Sequence, residues 1–230
     1  MPAISVILPA WNEAARLAET LVTVGEFLTR HAPGGEIVVV DDGSTDGSPE
    51  IARRHGARVI VHAQNRGKGA AVRTGMVAAT SAFRLFCDVD LSAPMEEALH
   101  LHDALDNGAA IAVGSRRGLP LLRRRRRTLL SATFSVLTRP LVPAVKDTQC
   151  GFKMFTAEAV ERVFPRMRIE RYAFDVELLL IARRQGLRVD EVPIRWNEAG
   201  SSRVRVLRDG ARMLADLARI ATHDARGGYV

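Results

Sequence analysis

The chain has 230 residues, a hydrophobic fraction of 47% and a mean hydropathy near zero, which excludes a disordered polymer and fits one substantial apolar core. No apolar run reaches the roughly 20 residues of a membrane-spanning helix, and the first residues, MPAISVILPAWNE, lack the basic n-region of a secretory leader. A net charge of +7 and a pI near 10.3 call for an anionic partner: nucleic acid, an anionic lipid surface or a phosphorylated substrate.

Short β-branched runs alternate with helical periodicity along the first half. Ile4–Leu8 and Glu36–Val40 are expected strands, and between them Leu17, Leu21, Val24 and Leu28 mark a helix over Ala14–Arg30. A helix near Ser48–His55, a strand at Arg58–His62, a helix at Lys68–Ser81 and a strand at Phe83–Asp88 follow. A helix at Met95–Asn107 and a strand at Ala109–Gly114 complete the series. Such alternation predicts a mostly parallel sheet flanked by helices, with ligands outside the carboxyl ends of its strands. Beyond Gly118 the pattern loosens to a helix candidate at Arg123–Leu141, a loop at Val145–Gly151 and a helix near Phe174–Gln185. A strand at Arg188–Arg195 and an amphipathic helix around Val206–Thr222 precede a short tail, 223–230. The expected organisation is a single domain over residues 1–222, with a ligand-binding half at 1–117 and a second half at 118–222. Cys87 and Cys150 have no metal-like spacing and read as reduced thiols of a cytoplasmic protein.

Polar clusters gather where the expected strands end. Asp41 and Asp42 open a Gly-Ser-Thr-Asp-Gly stretch, which is either a turn with Ser44 or Asp46 capping the next helix, or a carboxylate facing the base and ribose of a nucleotide. Asn65-Arg-Gly-Lys-Gly69 begins a helix, and exposed amides beside Lys68 suit a diphosphate as well as they suit a flexible turn. Asp88 and Asp90 are one residue apart, so both face one side if the strand persists. They either cap a helix or hold Mg²⁺ or Mn²⁺, which commonly takes one or two carboxylates plus phosphate oxygens.

Taken in order, ILPAWNEA, VVVDDGSTDGS, NRGKGAA, DVDLSAP and GSRRG resemble the family-2 glycosyltransferases of the GT-A fold, the Rossmann-like nucleotide-diphospho-sugar transferase architecture. DTQCGFKMF (Asp147–Phe155), RYAFDVELL (Arg171–Leu179) and EVPIRWNEAGSSRV (Glu191–Val204) are similar to the polyprenyl-phosphate branch, most of all its dolichyl-phosphate β-glucosyltransferases. The resemblance covers Ile4 to about Leu214. It implies an inverting, metal-dependent enzyme moving glucose from UDP-glucose to a polyprenyl or dolichyl phosphate. Pro9, Ala10, Trp11, Glu13 and Asp41 would bind the nucleoside, Lys68 the diphosphate, and Asp88 and Asp90 the metal. Arg116 would lie beside the diphosphate and acceptor, Asp147 next to the reacting centre. Arg127, Ser131 and Arg203 would engage the acceptor phosphate. A GDP-mannose-dependent enzyme is the nearest alternative, but Ser92 and Arg203 stand where the mannosyl branch carries glutamine and lysine. A family-2 enzyme with a non-lipid acceptor is another, and a basic nucleic-acid-binding protein is the non-enzyme alternative.

Eight arginines and no acid occupy Arg116–Arg139. Arginines 123–127 sit among Leu119, Leu121, Leu122, Leu129, Leu130 and Phe134, so segment 119–142 is expected at an anionic membrane surface. That implies peripheral attachment to the cytoplasmic face. The run has no interleaved aromatic residues, which disfavours base stacking and hence nucleic acid.

Overall fold

A computed structural model describes residues 1–116, 137–197 and 206–229. The first five strands are β1 (Ile4–Ala10), β2 (Glu36–Asp41), β3 (Arg58–Val61), β4 (Phe83–Cys87) and β5 (Ile111–Ser115). Helices α1 (Ala14–His31), α2 (Ser48–Arg54), α3 (Lys68–Ala78) and α4 (Glu97–Asp106) alternate with them, as the sequence pattern predicts. The second half adds β6 (Phe152–Thr156), α5 (Ala157–Val163), α6 (Phe174–Arg184), β7 (Val189–Pro193) and α7 (Val206–Ala225).

All seven strands form one sheet in the order β3-β2-β1-β4-β6-β5-β7. Pairing is parallel except around β6, which runs antiparallel to both β4 and β5. The two expected halves therefore share a single sheet, because β6 of the second half lies between two strands of the first. Burial on both faces explains the continuous apolar runs. Ile4, Val6 and Leu8 pack with Leu17, Leu21 and Leu101 on one side, while Ile7, Val38 and Val40 meet Ala71, Val72 and Met76 on the other.

Two elements escape the sequence pattern, β6 and α5. Lys153 stands in the middle of β6, yet it is fully buried, so a charged residue interrupts a stretch that is interior on both faces. Glycine at 75 is required by a close approach, since a Cβ there would lie 2.5 Å from Ile7 Cγ2. It brings α3 tight against β1.

Residues 223–229, expected as a tail, pack back onto α6. Arg184 donates two hydrogen bonds of 2.6 Å to Asp224, and the Tyr229 hydroxyl donates one of 2.6 Å to buried Glu177. Glu177 also accepts from the backbone amides of Arg168 and Ile169. A hydrogen bond to a buried charged acceptor contributes about 1.5–3 kcal/mol. Tyr229→Phe is therefore expected to lower the unfolding free energy by that amount in urea titration. An unchanged midpoint and slope would show that the Tyr229–Glu177 hydrogen bond adds nothing to stability.

Candidate active site

The carboxyl ends of β1, β2, β4 and β5 open on one edge of the sheet, and antiparallel β6 begins there. Two loops are stitched together at the β1 and β2 end. Asn12 sits in the left-handed region (φ 54°), which asparagine tolerates. Its amide donates to Ser44 Oγ at 2.8 Å, and its Oδ1 accepts from the Thr45 amide at 2.9 Å. Asp46 Oδ2 accepts from the Ala14 amide, and Ser48 Oγ from the Glu13 amide. The polar residues of the second loop thus brace the first.

Asp41 and its neighbour divide the work of the acidic pair. Asp42 is a brace: it accepts from the amides of Arg66 (3.0 Å) and Gly67 (2.7 Å) and meets His62 Nδ1 at 2.7 Å. It thereby ties the start of α3 to the end of β2. Asp41 is fully buried; its Oδ2 accepts from the Ser44 amide at 2.9 Å, whereas Oδ1 has no hydrogen-bond partner among the described residues. A buried acceptor without a donor carries a desolvation cost of about 1–3 kcal/mol, which a ligand N–H or O–H would relieve.

Pro9 lies within strand β1, paired with Val40 of β2, and Trp11 and Glu13 lie on the loop that follows. Trp11 is 45% exposed, and Glu13 pairs with Arg16 at 3.2 Å. Ala10 is the last residue of β1. Its side chain is in the apolar core, 2% exposed, and its carbonyl accepts from the Asp42 amide, so it shapes the loop from below.

At the β4 end the strand stops at Cys87, so the expected strand alternation does not carry Asp88 and Asp90. A turn does: the Leu91 amide donates to the Asp88 carbonyl at 3.1 Å, with Leu91 at φ 43°. Asp88 Oδ1 lies 2.5 Å from Lys68 Nζ. Burial works against the charge on Lys68, but Asp88, then Asp175 and Asp90, raise its pKa above the ordinary lysine value. Asp90 is exposed and accepts from the Ser92 amide at 3.1 Å. Among the described residues no group of three or more His, Cys, Asp or Glu side chains could hold a metal. The donor set is therefore two carboxylates, one already paired with a lysine. That suits Mg²⁺ or Mn²⁺ whose other positions go to water and phosphate oxygens, with Asp90 the more available ligand. Ser92 is buried.

At the β5 end Arg116 and Asp147 form a bidentate pair, Nε–Oδ2 2.8 Å and Nη2–Oδ1 2.6 Å, and the Arg116 amide adds a third bond to Oδ2. Asp147 is held by Glu191, which accepts from its amide (3.1 Å), from the Lys146 amide (2.8 Å) and from Ser115 Oγ (2.6 Å). The Arg116 guanidinium lies 5.2 Å from the centroid of Trp196. Both oxygens of Asp147 are engaged by Arg116.

Burial pushes the Asp147 carboxyl up, but the hydrogen bonds and charge of Arg116 outweigh it and hold the pKa below 3.8. The pair's stabilisation is then complete above the unfolded value and disappears as pH falls through the lower folded one. The stability advantage of the parent over Asp147→Asn should be constant above pH 3.8 and shrink below it. A pH-independent difference in urea midpoints would contradict the ion pair.

Sequence reasoning missed Lys153, Asp175 and Gly151, although all lie in the motifs quoted for the resemblance. Lys153 Nζ donates to Asp175 Oδ1 and to the Cys150 carbonyl, both at 2.5 Å. A buried lysine in an apolar strand was the available signal. The two thiols are free and buried, and burial pushes that of Cys150 up to about 12. Arg127, Ser131 and Arg203, together with arginines 123–126, lie outside the described residues. No helix among the described residues is long and apolar enough to cross a membrane.

The profile of glycosyl transferase family 2 matches residues 5–164. The chain is 37% identical over 237 residues to a dolichyl-phosphate beta-glucosyltransferase of Drosophila melanogaster, covering 93% of this chain and 73% of that one. It is 32% identical over 242 residues to that of Saccharomyces cerevisiae, covering 93% and 72%. Among solved structures it is similar to glucosyl-3-phosphoglycerate synthase from Mycobacterium tuberculosis in complex with Mn²⁺, uridine diphosphate and phosphoglyceric acid. That match has a TM-score of 0.75 and 23% identity, covering 95% of this chain and 78% of the other. At that identity the likeness establishes the GT-A fold alone.

Proposed function

Because the chain belongs to glycosyl transferase family 2, we propose that it transfers glucose from UDP-glucose to a polyprenyl phosphate of the dolichyl type at a membrane surface. The carrying observation is the carboxyl edge of the sheet, where the unsatisfied buried Oδ1 of Asp41 ends β2, the Lys68 ammonium meets Asp88 just after β4, and the carboxylate of Asp90 is exposed. Similarity to the named relatives over more than nine-tenths of the chain supports the glucosyl donor and the lipid acceptor.

Asp41 accepts from the base or ribose of the donor, and Trp11 covers the nucleoside from the solvent side. Lys68 lies where the diphosphate leaves, at the start of α3, whose amides favour negative charge. Asp90 and Asp88 would hold Mg²⁺ or Mn²⁺, which would supply Lewis-acid stabilisation of the leaving group when bound. A phosphate monoester is largely dianionic at neutral pH, its second pKa being about 6, so the acceptor needs no general base. It needs orientation. Arg116, fixed by Asp147 and Trp196, keeps further N–H donors for a phosphate, and Arg127 with Ser131 and Arg203 completes that grip. In-line attack inverts the anomeric centre to a β-linked lipid phosphate. Segment 119–142 attaches the enzyme to anionic lipid, each charge contributing about 1 kcal/mol near the surface.

The test is transfer of radiolabel from UDP-glucose into solvent-extractable lipid, using vesicles that carry polyprenyl phosphate, with Mn²⁺. Label in lipid from UDP-glucose supports the reading. Label from GDP-mannose alone would assign the mannosyl reaction, and label only in water-soluble products would replace the lipid acceptor. Flotation with the vesicles, lost when arginines 123–126 become alanine, supports surface attachment.

A further inference from the structure

We propose that Asp175, paired with Lys153, is a positioning residue for the nucleotide-sugar site: the buried counter-charge that keeps Lys68 at the diphosphate position when Asp88 turns to a cation. The inference rests on the donor-site reading above and assigns a role to charges that reading leaves unused.

Lys153 and Asp175 lie in the interior, 0% and 4% exposed. Their ion pair is closed by the Cys150 carbonyl and covered by the Phe86 ring, 5.2 Å from Nζ. A buried ion pair is seldom more stabilising than apolar residues of the same volume, so core packing gives no reason for two charges here.

Their place in the fold gives one. Asp175 opens α6, whose approach segment is pressed against the start of α3. The Ala70 amide donates to the Glu170 carbonyl at 3.0 Å. A Cβ on Gly69 would lie 2.7 Å from Phe174 Cβ, and one on Gly67 would lie 2.5 Å from the Glu170 carbonyl oxygen. Lys68 is thus carried on a rigid junction between α3 and the first turn of α6. From the other side Gly151, just before β6, allows Asp88 to approach.

The two ion pairs meet at Cys150 and Gly151. Lys153 Nζ donates to the Cys150 carbonyl. A Cβ on the next residue, Gly151, would lie 2.2 Å from Asp88 Oδ2 and 3.2 Å from Lys68 Nζ, so the Lys153–Asp175 pair adjoins the Lys68–Asp88 pair. When Asp88 turns toward a cation, Lys68 loses its 2.5 Å partner. Asp175 is then the carboxylate that holds it against solvent. Without Asp175, Lys68 stays on Asp88 and competes with the cation.

A double-mutant cycle between Asp175→Asn and Lys68→Met, read by calorimetric binding of UDP with Mn²⁺, tests this. Asparagine keeps the shape and an acceptor for Lys153. The expected result is a loss of about tenfold in UDP affinity for Asp175→Asn when Lys68 is present, and no further loss in the Lys68→Met background. Equal losses in both backgrounds, or unchanged affinity in a folded Asp175→Asn protein, would overturn the positioning role. If circular dichroism shows Asp175→Asn unfolded, the charge-neutral Lys153→Met, Asp175→Asn pair replaces it in the same cycle with the same expectations. No binding of UDP by the unaltered protein would overturn the donor-site reading itself, and the positioning role with it.

Discussion

Replacing Asp90 with alanine is expected to lower glucosyl transfer by about 10²–10³-fold, the size of effect seen when one preorganised charge-stabilising group is removed, while the melting temperature stays close to the parent value. The separation follows from the contacts. Asp90 is exposed, and its side chain accepts one local hydrogen bond, from the Ser92 amide at 3.1 Å. Surface substitutions of this kind usually change stability by less than about 0.5 kcal/mol. The fold-bearing contacts of the turn belong elsewhere: the Asp88 carbonyl accepts from the Leu91 amide, and the Ser92 carbonyl from the Asn197 amide at 2.7 Å. Asp88→Ala makes the informative contrast, because it removes a proposed metal ligand and the partner of Lys68 together; with Asp175 still in place, UDP affinity should fall in the presence of Mn²⁺ and not fall in its absence. Transfer rates and UDP calorimetry with and without Mn²⁺ check both variants. An Asp90→Ala protein that binds UDP with the parent's Mn²⁺ dependence would remove Asp90 from the metal site.

Gly151→Ala should impair the enzyme through a single methyl group. A Cβ at this position would lie 2.2 Å from Asp88 Oδ2 and 3.2 Å from Lys68 Nζ, so Asp88 must rotate and drag the ion pair with it. Overpacking of this kind costs about 1–3 kcal/mol of stability, and a misplacement of about 1 Å in a positioned group costs about 10²-fold in rate. Gly25→Ala is the control. It lies within α1 with nothing within 4 Å of its added Cβ, so the methyl should stabilise the helix by about 0.5–1 kcal/mol and leave transfer unchanged. Thermal melts and initial rates measured side by side distinguish the two. Parent-like activity in Gly151→Ala would mean that the Asp88–Lys68 geometry has no part in turnover.

Much of the site was legible because glycosyl transferases of this architecture place their polar residues at strand ends, and strand ends are local features. Asp41, Lys68, Asp88, Asp90 and Arg116 each follow an apolar run or open a helix, so periodicity and turn chemistry located them. Their individual duties were less legible. Asp41 and Asp42 are adjacent and chemically identical, yet one retains an unsatisfied buried oxygen while the other satisfies the start of α3. Side-chain direction separates them, and no composition rule encodes it.

The sequence by itself determined the β-α alternation, the family motifs and the gathering of acidic and basic groups at one edge of a parallel sheet, because hydrophobic periodicity and capping chemistry act within a few residues. The tertiary structure alone decided the antiparallel insertion of β6 between β4 and β5. That insertion carries Gly151 to Asp88 and Lys153 to Asp175 and brings Asp147 onto Arg116, 31 residues away. These contacts depend on sheet order, which the spacing of apolar residues does not specify, and on the burial of a lysine whose charge makes its strand look like a loop.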